Sequence, residues 1–362
     1  MKLKVSLIVL LSMVCFSGFS QGGGNPLVEK SQGVFKVKTK VEMAAMEAKL
    51  NLKGKAAFDK AKNDFKNVRN AKFEIAPNEQ LNQDPKELLG ISEKPDLKLA
   101  ERQNAANRKN EKVIKDNMIA AGIDVSGMDL SYSRPVKIPE LIDSWNTRIL
   151  TPVKNQGGCG SCWAFAAAAA FEHAYLKFFK GLLDMSEQDI VICGVTSEGR
   201  DCGDCFYGGQ TYRAFDYMDT KGVLSEKSFP YGSAGSCTDK VRYDGVWSWG
   251  YLYPGRFPTV NEIKDYVNYY GSVATYLKAG ISTFMSYGGG VYNGYPSNSG
   301  NDCDHAVIIV GWNEAMKAWI IKNSWGENWG PYGGYAYVGY DQCNIGKFVM
   351  WIMPKKLEMI AL

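Results

Sequence analysis

Histidine is almost missing from this chain: 362 residues hold only His173 and His305. That scarcity excludes a histidine-rich metal centre and limits any imidazole base to one of two positions. Charge is also scarce in net terms. A balance of +4 is too weak to suggest a nucleic-acid partner. Beyond residue 20 no apolar run is long enough to cross a bilayer, so no membrane partner is expected there. The triplet Asn-x-Ser/Thr does not occur, which removes support for glycan-directed sorting to a lysosome. Residues 21–134 lack Cys, His and Trp altogether, so that piece has little with which to do chemistry.

What is present is unevenly distributed. Residues 1–20 begin with Lys2 and Lys4, continue as SLIVLLSMVCF and end Gly18-Phe19-Ser20. This is the three-part pattern of a secretory signal peptide, and it predicts a secreted or periplasmic product that loses Cys15 with the leader. Residues 21–134 carry 21 Lys and Arg against 16 Asp and Glu, whereas residues 135–362 carry 19 against 22. Two pieces of opposite sign result. In the first, Phe58, Ala61, Phe65 and Val68 recur at helical spacing, and a second helix is predicted from about Leu97 to Ala121, stopping at Gly122. Such helices bury an apolar stripe only against a partner. Lying between a leader and a unit of opposite charge, residues 21–134 are expected to be a propeptide docked on that unit.

The second piece opens on helices. From Cys162 the run CWAFAAAAAFEHAYLKFFKG reads as one helix with Gly181 as its left-handed stop. Ser186 with Asp189, and Thr259 with Glu262, look like capping boxes. After Gly271 the runs SVATYLKA, AVIIVGW, AWIIKNSW, GYAYVGY and FVMWIMP are β-rich and separated by Gly, Asn and Pro. Helices first and strands later predict an α+β unit of two halves with a site between them.

The stretch from Pro152 to Trp163, PVKNQGGCGSCW, carries the strongest chemical signal. A thiol attacks as thiolate, and a helix N-terminus lowers its pKa through the dipole and free amides. Cys162 stands where the helix begins and needs a proton acceptor. His173, on the same helix, is roughly 16 Å away at 1.5 Å per residue and reads as a packing histidine. His305, at the start of AVIIVGW, remains. Asn323, at the end of the next strand, can accept from one imidazole nitrogen and orient the ring. Trp325 can shield that bond from water. The Gln156 amide, six residues before Cys162, would complete a two-donor oxyanion hole with the Cys162 N–H.

These residues resemble the papain family of cysteine peptidases, which includes the cathepsins. CGSCW meets the family's signature around the nucleophile, His305 follows 143 residues later, and Asn323 follows at 161. The resemblance runs from about Ile138 to Pro354. It implies a two-lobed fold, with a helical N-terminal lobe, a β-barrel-like C-terminal lobe and a helical propeptide in front. It also implies an endopeptidase made as an inactive zymogen, with Gln156 as oxyanion donor, Cys162 as nucleophile, His305 as base and acid, and Asn323 as orienter. Protein or peptide substrates are expected, with no cofactor and no metal. The exopeptidase branch of the family needs a histidine pair, for which no histidine is left over.

Three departures accompany the resemblance. The interrupted Glu-Arg-Phe-Asn-Ile-Asn helix motif of family propeptides is absent from residues 21–134. The family's Cys-Asn-Gly-Gly turn stands here as Cys205-Phe206-Tyr207-Gly208-Gly209, one residue longer. Cys303 precedes His305 by only two residues, closer than its counterpart in papain. The resemblance implies disulfides Cys159–Cys205, Cys193–Cys237 and Cys303–Cys343 with Cys202 left over, and the sequence leaves an exchange of Cys202 and Cys205 open. Gly208 and Gly209 would offer backbone to an extended substrate. Thr211, Tyr276 and Phe348 would line the pocket for the second side chain upstream of the cut, with Trp325 nearby.

Two other readings compete. Cys159-Gly160-Ser161-Cys162 is a CxxC at a helix start, as in thiol–disulfide oxidoreductases, but that reading leaves Gln156, His305 and the NSWG run unexplained. A peptidase-like binding protein without activity would usually lack the Cys or the His.

Overall fold

The computed structural model describes residues 39–91, 95–125, 150–237, 242–252, 257–298 and 302–357. The leader at 1–20 and the expected boundary at 134/135 lie outside them. The first piece forms α1 (Lys40–Ala48), α2 (Leu52–Phe65), the short strand β1 (Phe73–Ile75), a 3-10 turn, α3 (Pro85–Leu88) and α4 (Leu97–Ala120). Thr39 and Asn51 cap α1 and α2 through their side chains. On α2, Phe58 and Ala61 are buried, while Phe65 and Val68 are partly buried, with Val68 just past the helix end. Helix α4 ends as the sequence predicts, with Ala121 as cap and Gly122 at φ +78°.

The second piece begins with α5 (Cys162–Phe179), α6 (Glu187–Cys193), the two-residue strands β2 (Gly203–Asp204) and β3 (Gly208–Gly209), and α7 (Thr211–Lys221). Strands β4 (Val246–Tyr251), β5 (Val273–Leu277), β6 (Tyr287–Tyr292), β7 (His305–Asn313), β8 (Ala318–Lys322), β9 (Tyr335–Gly339) and β10 (Met350–Pro354) follow, with α8 (Val260–Tyr270) and α9 (Ser282–Met285) between them. The reciprocal capping box of Thr259 and Glu262 opens α8, and Ser186 accepts from the Asp189 N–H at the start of α6.

Eight strands form one sheet in the order β1-β6-β9-β8-β7-β5-β10-β4. All pairs are antiparallel except β6 with β9. The first piece therefore supplies an edge strand to the sheet of the second. Helix α5 packs across β7 and β10 and joins the helical lobe to the sheet lobe. It is buried almost throughout because its run of alanines admits close neighbours.

One detail of α5 differs from expectation. The left-handed residue is Lys180 (φ 59°), not Gly181. Gly181 is needed for another reason: a Cβ there would meet the Tyr175 ring at 2.9 Å. Docking of the first piece also differs from a basic-on-acidic attraction. The ion pairs across the interface run in both senses, Arg102 to Glu198 at 2.8 Å and Arg200 to Asp96 at 3.7 Å, and all four side chains are partly exposed, where such pairs contribute little. Apolar burial, backbone pairing and side-chain amides bonded to backbone carry the contact.

Candidate active site

Two strand registers bring the site together. Leu277 of β5 stands opposite His305 of β7, and Ile308 of β7 stands opposite Lys322 of β8. His305 and Asn323 thus end adjacent strands on the same side, and Nε2 of His305 lies 2.8 Å from Oδ1 of Asn323. The Trp325 ring packs on His305 with centroids 4.6 Å apart and is fully buried. It screens the His–Asn bond from water, which strengthens it.

Cys162 is the first residue of α5, and no side chain caps that helix start. Its sulfur accepts from the Ala306 N–H at 3.4 Å, so nucleophile and imidazole sit at one junction of helix and strand. Ser161, the cap residue, spends its hydroxyl on Tyr231 at 2.7 Å instead. Burial pushes the Cys162 thiol up to about 12; the N–H groups of Ala306, Gly90 and Trp163 oppose this and Asp304 adds to it. Burial likewise lowers His305 to about 4, against the Asn323 bond, Asp304 and the Leu88 carbonyl. Burial thus favours the neutral form of each.

Gln156 is fixed on one side by its Oε1, which accepts from the Ser324 hydroxyl at 2.7 Å, and by its N–H on the Ser324 carbonyl at 2.9 Å. Its Nε2 donates to the Cys159 carbonyl at 2.8 Å and to the Leu88 carbonyl at 3.2 Å. Ser324 was not singled out in the sequence, although its place beside Asn323 was a usable signal. Gly90 and Leu88 were also missed. Gly90 threads so tightly past Gly160 that a Cβ on it would fall 1.9 Å from the Gly160 carbonyl oxygen. Its own carbonyl accepts from the Gly209 N–H at 2.8 Å, and Ile91 bridges Gly209 in the parallel sense. Residues 88–91 thus fill the cleft between the lobes.

The expected pocket residues are partly brought together. The Tyr276 hydroxyl accepts from the Thr211 N–H at 3.0 Å and donates to Gln210 Oε1 at 3.0 Å. The Phe348 ring lies 6.0 Å from that of Tyr276. Gly208 and Gly209 form β3 on the cleft edge. Trp325 instead lies behind His305 as a shield. His173 is buried beside Thr151, whose N–H it accepts at 3.2 Å, and takes no part in the site.

Cys159 bonds Cys205 and Cys193 bonds Cys237, which leaves Cys202 as a buried thiol. The Cys303–Cys343 bridge is not formed; both are free thiols. Cys303 is separated from the start of β7 only by Asp304, whose carboxylate is pinned by Lys278 at 2.7 Å and the Ala279 N–H at 2.7 Å. Cys343 sits in a left-handed turn, φ 54°, held by backbone bonds to Tyr295 and Lys278. Among the described residues no cluster of His, Cys, Asp and Glu could hold a metal ion.

The arrangement can deprotonate a thiol, steady the resulting imidazolium and stabilise an oxyanion. Comparison with known proteins identifies the family. Residues 138–353 match the family described as papain family cysteine protease. Cathepsin K of Mus musculus is 38% identical over 215 residues, covering 58% of this chain and 62% of that protein. A cysteine protease of Blomia tropicalis is 34% identical over 221 residues, covering 59% and 66%. The matched stretch thus spans less than two thirds of either relative. Among solved structures, one addressing antibody cross-reactivity between two mite allergens covers 90% of this chain and 98% of its own, at TM-score 0.62 and 25% identity. A ragweed pollen cysteine protease in its proform covers 88% and 97% at TM-score 0.59 and 22% identity, a likeness of fold alone. The chain belongs to the papain family of cysteine proteases.

Proposed function

We propose that this chain is the secreted precursor of a cysteine endopeptidase, with residues 21–134 as inhibitory propeptide and 135–362 as peptidase domain. The observation that carries this is the convergence of Cys162, His305, Asn323 and Gln156 beneath residues 88–91. Once the cleft is open, His305 takes the proton of Cys162, and the thiolate adds to the scissile carbonyl carbon. Gln156 Nε2 and the Cys162 N–H hold the oxyanion. His305 then gives its proton to the leaving amine as the C–N bond breaks, leaving a thioester on Cys162. Water, deprotonated by His305, attacks that thioester; the C–S bond breaks and the proton returns to the thiol. Asn323 keeps the ring aimed throughout.

Residues 88–91 are a poor substrate although they occupy the site. Cys162 takes the N–H of Gly90, while the carbonyl of this segment that Gln156 Nε2 contacts is that of Leu88. Donor and nucleophile thus meet different peptide units, and no single carbonyl is aligned for attack. Two disulfides agree with an oxidising compartment, secreted or periplasmic. Thr211, Tyr276 and Phe348 would shape the pocket for the second upstream side chain, with Gly208 and Gly209 pairing the substrate backbone. The oxidoreductase reading is not favoured, because Cys159 is bonded to Cys205 and not to Cys162.

The test is active-site titration of the processed protein with an irreversible epoxide inhibitor of papain-like enzymes. One equivalent on Cys162, with matching loss of peptide hydrolysis, is expected. Hydrolysis that survives full labelling of Cys162 would sink the proposal.

A further inference from the structure

The first piece grips the eight-stranded sheet at both of its ends. At one end β1 pairs with β6, Phe73 opposite Gly290 and Glu74 opposite Gly289. At the other end β4 is the terminal strand, with β10 on one side and, among the described residues, no strand on the other. A strand edge of this kind presents N–H and C=O groups that need partners. Helix α4 supplies them. Asn104 donates to the Tyr251 carbonyl at 3.0 Å and accepts from the Tyr251 N–H at 3.3 Å. Asn107 donates to the Trp249 carbonyl at 2.8 Å and accepts from the Ser248 hydroxyl at 2.6 Å. Two side-chain amides thus meet three backbone groups of that edge, the Tyr251 N–H and C=O and the Trp249 C=O.

The spacing is that of a designed contact. Positions i and i+3 share a helix face, and carbonyls two residues apart share a strand edge. Asn104 and Asn107 are each almost wholly buried, which is costly for an amide unless both its ends are bonded. Ala100, Ile114 and Met118 continue the same face at heptad-like spacing and are buried too. Asparagine inside a helix has no propensity advantage, so these two positions are explained by the edge they meet.

We infer that the outer edge of β4 is a second anchoring site of the peptidase domain, one that recognises a helix bearing Asn-x-x-Asn. Residues 88–91 then stay in the cleft chiefly because they are strung between this anchor and the β1–β6 anchor. This rests on the reading of residues 21–134 as propeptide. A short segment fixed at both ends has an effective concentration in the millimolar range, so modest cleft contacts suffice. Loss of one anchor frees that end of the segment and lets the cleft open.

The test uses the full-length chain carrying Cys162→Ala, so that self-cleavage is absent and the reading is independent of any peptidase activity. Hydrogen exchange is followed at three amides: Tyr251 (bonded to Asn104), Gly209 (bonded to Gly90) and Val291 (bonded to Lys72). Adding Asn104→Leu and Asn107→Leu should speed exchange roughly tenfold or more at Tyr251 and at Gly209. Val291, at the other anchor, should keep its protection. If Tyr251 is unchanged, the edge is not read by the asparagines. If Tyr251 is exposed while Gly209 stays protected, the anchor does not hold the cleft segment. Either result overturns the inference. Should the double variant lose protection at interior Ile309, the milder Asn107→Ala and Asn104→Ser chains are read by the same three amides.

Discussion

The carbonyl oxygen of Leu88 lies 3.2 Å from Nε2 of Gln156, the amide proposed above as an oxyanion donor. A ligand there must be threaded past Gly160, and Gly90 makes that passage possible. A Cβ at residue 90 would fall 1.9 Å from the Gly160 carbonyl oxygen, a backbone atom that cannot turn aside. Gly90→Val should therefore expel residues 88–91 from the cleft. The unprocessed precursor, normally silent, is expected to hydrolyse a small fluorogenic peptide at once, with kcat/KM within about tenfold of the processed enzyme. A Gly90→Val precursor as silent as the parent would refute the occlusion.

Within the catalytic set the expected losses differ by role. Cys162→Ala and His305→Ala should abolish hydrolysis of peptides. Asn323→Ala should reduce kcat by roughly 10- to 100-fold, because an orienting group that also screens the imidazolium does not itself move the proton. His173→Ala should leave kcat near its parent value while lowering the melting temperature, since a buried ring that accepts from the Thr151 N–H is lost. Steady-state kinetics beside thermal melts of the four variants separate these outcomes.

Much of this site was legible in the sequence because its residues are bound to local signals. A nucleophile at a helix start, a histidine opening a strand and an asparagine closing the next are each readable from pattern. With two histidines in the chain, elimination did the rest. What could not be read depends on contacts between distant segments. Strand β1 has three residues and exists only because β6 offers an edge; the glycines of β6 hide its strand character, yet a Cβ at Gly290 would strike the Lys72 carbonyl oxygen at 2.3 Å. Gly90 carries no local mark at all. The Cys303–Cys343 bridge was drawn from resemblance alone, and the two cysteines stand as free thiols, although Cys343 feels the charge of Cys303. Basic-on-acidic docking was inferred from net charges, but net charge does not say which charged groups meet.

Acid should open the precursor, and the titrating group is His305. In the closed state burial lowers it to about 4 from an ordinary 6.5, against the Leu88 carbonyl of the cleft segment; if lifting that segment rehydrates the ring, closure favours the neutral form. The open state binds the proton more readily between these values. The closed form's advantage is therefore full above pH 6.5 and is lost progressively as the pH falls toward 4. In the Cys162→Ala precursor, exchange at the Gly209 amide, corrected for its intrinsic pH dependence, should accelerate across that window. A His305→Gln chain should show a flat profile there. An equally steep profile in both would assign the opening to other groups.

A last prediction concerns the buried charges behind the oxyanion donor. Lys154 stands two residues before Gln156 and bonds Glu172 at 3.1 Å, Glu187 at 2.8 Å and the Met185 carbonyl at 2.9 Å, with exposed Asp184 at 2.7 Å. Glu172 and Glu187 are both almost wholly buried, and two such carboxylates are tolerated only around a shared cation. These acids hold the Lys154 pKa above its usual value despite desolvation, while burial raises Glu187. Lys154 also fixes the oxyanion loop directly, since its carbonyl accepts from the Gly326 N–H at 3.0 Å. Lys154→Met keeps the length and removes the charge, taking from two buried acids the cation bonded to both and leaving them the more distant field of buried Lys322. Destabilisation of about 3–5 kcal/mol is expected, read as a lower urea midpoint with the slope unchanged. In the processed enzyme kcat should fall while KM changes little, because Gln156 acts on the oxyanion and not on the bound substrate. Replacing Glu172 and Glu187 by Gln in the same chain should restore most of the stability. If the triple variant is no more stable than Lys154→Met, unpaired charge is not what the lysine prevents.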